Sequence, residues 1–136
     1  MNLRHVLWGV AGIGLASCVP DQPSVHVEPT GTGFRAKLKE NLFTFGLFKT
    51  APCLTRIEVW QNGKPIWIAE ATGDPCSSLG ELSYPRPANG FRDVVAAHSF
   101  SIGASTTLII TSGTDYCYRF TLPNQPTRCE DHPSNT

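Results

Sequence analysis

The residues most able to do chemistry are five cysteines: Cys18, Cys53, Cys76, Cys117 and Cys129. None are spaced as Cys-x-x-Cys and no histidine lies close to a pair, which argues against a zinc site. Past the amino-terminal segment the histidines are His26, His98 and His132, too scattered to act as a set. Glu58, Glu70, Asp74 and Glu81 are near one another in sequence. Acid–base work needs two such groups facing one substrate, and their spacing does not imply that geometry. There is no Gly-x-Ser-x-Gly elbow, no phosphate-cradling glycine loop and no His-Glu-x-x-His. We therefore expect a non-enzymatic protein without metal or cofactor. One aromatic pair stands out as a binding candidate: Trp60 and Trp67, close in sequence to Arg56 and Glu58.

The amino terminus carries an address. Residues 1–5 hold one fixed positive charge, Arg4, and residues 6–15 are apolar or glycine. Such a run is too short to span a bilayer, which takes roughly 20 residues, and suits the apolar region of a signal peptide. Leu15-Ala16-Ser17-Cys18 follows. This segment resembles the lipobox of bacterial lipoproteins. The resemblance implies a signal-peptide helix over residues 1–17, cleavage before Cys18, diacylglycerol on its sulfur and acylation of the new amino terminus. Several acyl chains anchor stably where one is marginal. Val19, rather than Asp, follows the cysteine. By resemblance to the enterobacterial sorting rule this implies the outer membrane, with the domain facing the periplasm.

With Cys18 assigned to lipid, four cysteines remain. An even number in an exported domain reads as two disulfides, and four cysteines allow three pairings. Cys53–Cys76 would staple the open end of a hairpin, and Cys117–Cys129 would fold the tail back onto its strand. The chain carries 11 basic and 11 acidic residues, and losing Arg4 with the leader leaves one excess negative charge. That balance gives no support to nucleic-acid binding.

The elements that must position these residues look like strands. Residues 18–33, rich in Pro, Gly, Thr and Ser, read as a tether, with an edge strand at 24–28 where Val25 and Val27 alternate with polar neighbours. Phe34, Ala36 and Leu38 alternate with Arg35, Lys37 and Lys39, and an apolar run follows over residues 42–48. Residues 54–61 and 64–71 flank Asn62-Gly63, the signature of a type I′ hairpin. That turn pairs Gln61 with Lys64. Continued outward, it puts Val59 opposite Ile66 and Ile57 opposite Ile68 on one face. The other face receives Arg56–Ala69, Glu58–Trp67 and Trp60–Pro65, so both tryptophans share it. Further strands are expected at 81–84, 94–102, 106–111 and 116–122, the last with Tyr116, Tyr118, Phe120 and Leu122 on one face.

Residues 110–116, Ile-Thr-Ser-Gly-Thr-Asp-Tyr, resemble the tyrosine-corner stretch of fibronectin type III domains. The local alternative is a hairpin with Gly113-Thr114-Asp115 as its loop, pairing Ile110 with Tyr118 and Leu108 with Phe120. The resulting expectation is one all-β domain over residues 34–136, an immunoglobulin/fibronectin-like sandwich of about seven strands, with a small barrel as alternative. For function we expect a membrane-anchored periplasmic lipoprotein with a protein partner in the envelope. Small lipobox-bearing sandwich domains resemble immunity-type lipoproteins that capture a toxic effector, and an accessory role in an envelope machine is a second version. The alternative is a ligand- or glycan-binding module that stacks its ligand on Trp60 and Trp67.

Overall fold

The computed structural model describes residues 23–41 and 49–130. The leader, Cys18, His132 and the apolar run 42–48 lie outside the described residues. Among those described there is no helix, and the chain runs through twelve strands. These are β1 (Ser24–Pro29), β2 (Phe34–Asn41), β3 (Lys49–Thr50), β4 (Cys53–Leu54), β5 (Arg56–Gln61) and β6 (Lys64–Ala71). There follow β7 (Ser77–Ser78), β8 (Glu81–Tyr84), β9 (Phe91–Val95), β10 (Thr106–Ser112), β11 (Thr114–Phe120) and β12 (Thr127–Cys129). Four of them, β3, β4, β7 and β12, are pieces of two or three residues, which leaves eight longer strands where about seven were expected.

A six-stranded sheet has the order β12-β11-β10-β5-β6-β9, and a four-stranded sheet is built from β1, β2, β3 and β8. All their pairings are antiparallel. β4 and β7 form a small third pair. The period of two explains how the larger sheets meet. In β2, Phe34, Ala36 and Leu38 are buried while Arg35, Lys37 and Lys39 are exposed. Their apolar face meets Ile57, Val59, Leu108, Ile110, Tyr118 and Phe120 of the larger sheet in one core. The fold is thus sandwich-like rather than a closed barrel. Phe34 is fully buried among rings, with Tyr84 stacked at 5.5 Å, Phe100 at 5.3 Å and Phe120 edge-on at 5.2 Å.

Part of the stretch read as a tether belongs to the fold. β1 pairs with β2 along its whole length, and Val27 is buried. The edge strand expected at 24–28 is present and one residue longer, ending at Pro29. Gly33 belongs to the fold as well. A β-carbon there would stand 2.2 Å from the Tyr84 carbonyl oxygen, so only glycine fits.

Both disulfides pair as topology suggested, Cys53 with Cys76 and Cys117 with Cys129. Cys117 and Cys129 are direct partners across β11 and β12, which brings the tail into the sheet. The segment 110–116 is a hairpin within one sheet, not a corner between sheets. Its turn is tighter than the expected three-residue loop: Ser112 pairs with Thr114 around Gly113, whose φ is +76°. The register therefore moves by two, and Ile110 faces Tyr116 and Leu108 faces Tyr118. The strand expected at 94–102 is also corrected. Its place is taken by β9, and residues 96–105 form a loop pinned to the sheet by other means.

Candidate binding face of the large sheet

The hairpin β5–β6 turns where Asn-Gly chemistry requires, with φ of 54° at Asn62 and 71° at Gly63. Gln61 pairs with Lys64 and Trp60 with Pro65, as expected. One step further the register slips: Val59 faces Trp67, Glu58 faces Ile68, Ile57 faces Ala69 and Arg56 faces Glu70. Ile66 is the extra residue of a β-bulge. The Ile66 carbonyl accepts from the His98 backbone N–H at 2.8 Å and lies 3.3 Å from the Tyr84 hydroxyl, which also donates to the His98 carbonyl. Bonding to the 96–105 loop thus replaces bonding within the ladder.

The slip separates the two tryptophans. A shift by one residue sends every later side chain to the opposite face. Trp67 turns into the core, 1% exposed, edge-on to Tyr84, with its indole N–H donated to Asp93 at 2.8 Å. Trp60 stays on the outer face, half-buried. The shared Trp60–Trp67 platform is therefore corrected: the two rings lie on opposite faces, and Ile68 takes the outer place expected of Trp67.

Arg56, Glu58 and Trp60 do share the outer face, as the alternation of β5 requires, and they are bonded together. The Glu58 carboxylate accepts from the Trp60 indole N–H at 2.9 Å and from Arg56 Nε at 3.3 Å. Arg56 reaches across to Glu70 at 3.0 Å, and Arg92 approaches the second Glu70 oxygen at 3.8 Å. The result is an alternating row, Arg92–Glu70–Arg56–Glu58–Trp60. Glu58 is only 8% exposed, and both its oxygens have donors. Such a partly exposed row contributes little to stability, about 0.2–1 kcal/mol per pair, but it holds the Trp60 ring in a fixed plane. Glu81 lies on the other sheet, paired with Arg35 at 3.0 Å, and Asp74 is an exposed loop residue. The four acidic residues thus do not converge on one point.

A second cross-strand row runs beside the first. Trp60 of β5 faces Thr107 of β10, and Thr107 faces Arg119 of β11. Thr107 is short and only 5% exposed between two long neighbours, and over it opens a hollow of about 320 Å³. Ser105 and the Asn62-Gly63 turn complete its rim. The sequence did not single out Thr107 or Arg119. Thr107 is placed beside Trp60 by the β5–β10 register, and Arg119 beside Thr107 by the β10–β11 register, which Gly113 sets. Among the described residues no group of three or more His, Cys, Asp or Glu is arranged to hold a metal ion. No helix there is long and apolar enough to cross a membrane.

Comparison of the chain with protein-family models, with curated proteins and with solved structures gives no match.

Proposed function

We propose that this is an exported lipoprotein whose domain, held at the outer membrane through acylated Cys18, acts as a non-enzymatic binding module facing the periplasm. The observation that carries this reading is the partition of the cysteines. Cys53, Cys76, Cys117 and Cys129 are joined two by two. Cys18 is left over, directly behind Leu15-Ala16-Ser17 and five residues before Pro23. Disulfides belong to an oxidising compartment, and the odd cysteine stands where the lipobox pattern puts the lipid. The outer face of the large sheet supports the binding part of the proposal. It presents Trp60 beside Arg56, residue types enriched where proteins dock.

The test is metabolic labelling with an alkyne fatty acid, followed by mass spectrometry of the envelope fraction. Wild type should carry label on an amino-terminal peptide that begins at Cys18, and Cys18→Ser should be unlabelled and released from the membrane. Label-free protein, or a wild-type amino terminus upstream of Cys18, overturns the anchor. The binding part is tested by cross-linking in intact cells. A partner adduct should form with wild type and be lost with Arg56→Ala/Trp60→Ala; an adduct unchanged in the double variant places the docking surface elsewhere.

A further inference from the structure

We infer that the outer face of the four-stranded sheet rests on an anionic phospholipid surface, the one to which Cys18 tethers the domain. This rests on the lipoprotein reading above and adds an orientation to it. Three successive outward positions of β2, Arg35, Lys37 and Lys39, are all basic and all exposed. Side chains two residues apart on a strand share a face and stand about 7 Å apart, so the row repels itself. Lysines often guard an open sheet edge against pairing with another chain. That use does not apply here, because β2 is an inner strand, with β1 on one side and β8 and β3 on the other.

Charge on this face is graded along β2. Glu28 stands opposite Arg35, and Glu81 opposite Lys37. The carboxylates bond diagonally, Glu81 to Arg35 at 3.0 Å and Glu28 to Lys37 at 3.9 Å. All four side chains are about half exposed, so both pairs are weak, and headgroup phosphates accept the same hydrogen bonds. His26 stands opposite Lys37, and Ser24 opposite Lys39. Among the described residues Lys39 has no carboxylate partner. Three cations against two carboxylates leave one excess positive charge, and it lies at the Ser24 end. The tether arrives at that same end. Pro23 is held by the Tyr118 hydroxyl, and Cys18 stands five residues before it. Five residues reach at most about 18 Å. An acylated Cys18 therefore keeps Lys39 close to the headgroups, where an anionic leaflet attracts cations over a Debye length of about 8 Å. An acidic protein would satisfy the same charges, but the tether favours the bilayer, because it holds one beside Lys39 at all times. The two sheets share one core, so their outer faces point opposite ways. With the smaller sheet on the membrane, Arg56 and its row face the periplasm.

The experiment is lysine footprinting of the purified lipoprotein, reconstituted in vesicles of phosphatidylcholine alone or with phosphatidylglycerol added. A membrane-impermeant acylating reagent is applied, and the rate at each lysine is read by mass spectrometry. Lys37 and Lys39 should react about fivefold more slowly on the anionic vesicles, and the difference should vanish in high salt. Lys64, exposed on the larger sheet, should react at one rate on both. Lys39→Gln, a change at an exposed position, should bring Lys37 most of the way back to its rate on neutral vesicles. Flotation separates this inference from the anchor. Protein that floats with neither vesicle overturns lipidation of Cys18, and the orientation with it. Protein that floats with both while Lys39 reacts equally on both overturns the orientation and leaves the anchor standing. Equal slowing of Lys64 overturns the choice of face. Lys39 protected in intact cells but on neither vesicle assigns the face to a protein partner and overturns the lipid.

Discussion

Gln125 shows how one side chain can do the work of a missing strand. β1 pairs with β2 along one edge, and at Val27 the opposite edge would leave a backbone N–H and C=O without a ladder. The Gln125 amide supplies both partners: its oxygen accepts from the Val27 N–H at 3.0 Å and its nitrogen donates to the Val27 carbonyl at 2.9 Å. Primary amides carry a donor and an acceptor side by side, as a peptide unit does, so glutamine is suited to this place. An open edge is also a template for pairing with another chain, and the amide blocks it. Gln125→Ala should lower stability by about 1–3 kcal/mol, since two part-buried bonds are lost and their backbone partners are stranded. Denaturant unfolding measures the loss. Hydrogen exchange should show the Val27 amide exchanging faster while the β5 amides are unaffected at matched stability. A variant as stable as wild type would mean that water replaces the amide at no cost.

At the level of the element, the bulge at Ile66 decides what each tryptophan of the hairpin does. Trp67→Ala should cost about 3–5 kcal/mol, because it empties a fully buried site beside Tyr84. Trp60→Ala should cost much less, about 1 kcal/mol, since the ring is half exposed. Paired urea titrations of the two variants check this, and equal losses would mean that both rings are core. The hairpin also shows how far its sequence can be read. Asn62-Gly63 specifies a local turn, and the turn was legible with its first two pairs. The slip at Ile66 was not, because its cause is distant: Tyr84 and the His98 backbone take the Ile66 carbonyl out of the ladder. Local alternation then pointed to the wrong face for Trp67 and hid the Arg56–Glu70 pair. Residues 94–102 misled for a related reason. Phe100 packs on the core and Gln61 holds Ser101 through both its amide atoms, yet Val94 and Ile102 are 52% and 66% exposed. Val94 and Val95 end β9, and the apolar residues after them occur without a strand behind them. The disulfides were legible because connectivity and hairpin order left short spans to close. The Trp60–Thr107–Arg119 row was not, because it joins three strands through two registers.

Across the whole molecule, two tyrosine hydroxyls tie one sheet to the other. Tyr84 stands on β8 of the smaller sheet and bonds at His98, beside the β6 bulge of the larger one. Tyr118 stands on β11 of the larger sheet and donates to the carbonyl of Pro23, where the chain enters β1. Burial disfavours the phenolate at both positions and raises both pKa values above the ordinary 10.0. For Tyr84 the bond to the His98 carbonyl offsets part of the rise; for Tyr118 the charge of Arg128 does so, while Tyr116 adds to it. In the unfolded chain both groups ionise near 10, whereas the folded protein still holds their protons there. Above that pH the folded state binds more protons than the unfolded one, so stability must fall as pH rises. This contribution is fully present below pH 10 and is lost as pH climbs through the raised folded values. Unfolding free energy measured by urea titration should therefore be level on the approach to pH 10 and decline beyond it. Phenolate absorbance should show Tyr84 and Tyr118 titrating late, together with the loss of structure. Tyr84→Phe and Tyr118→Phe should each start from lower stability, because a bond between the sheets is gone, and each should decline less steeply above pH 10. A decline as steep in the double Phe variant as in wild type would assign the alkaline transition to other groups and leave the two hydroxyls as neutral ties between the sheets.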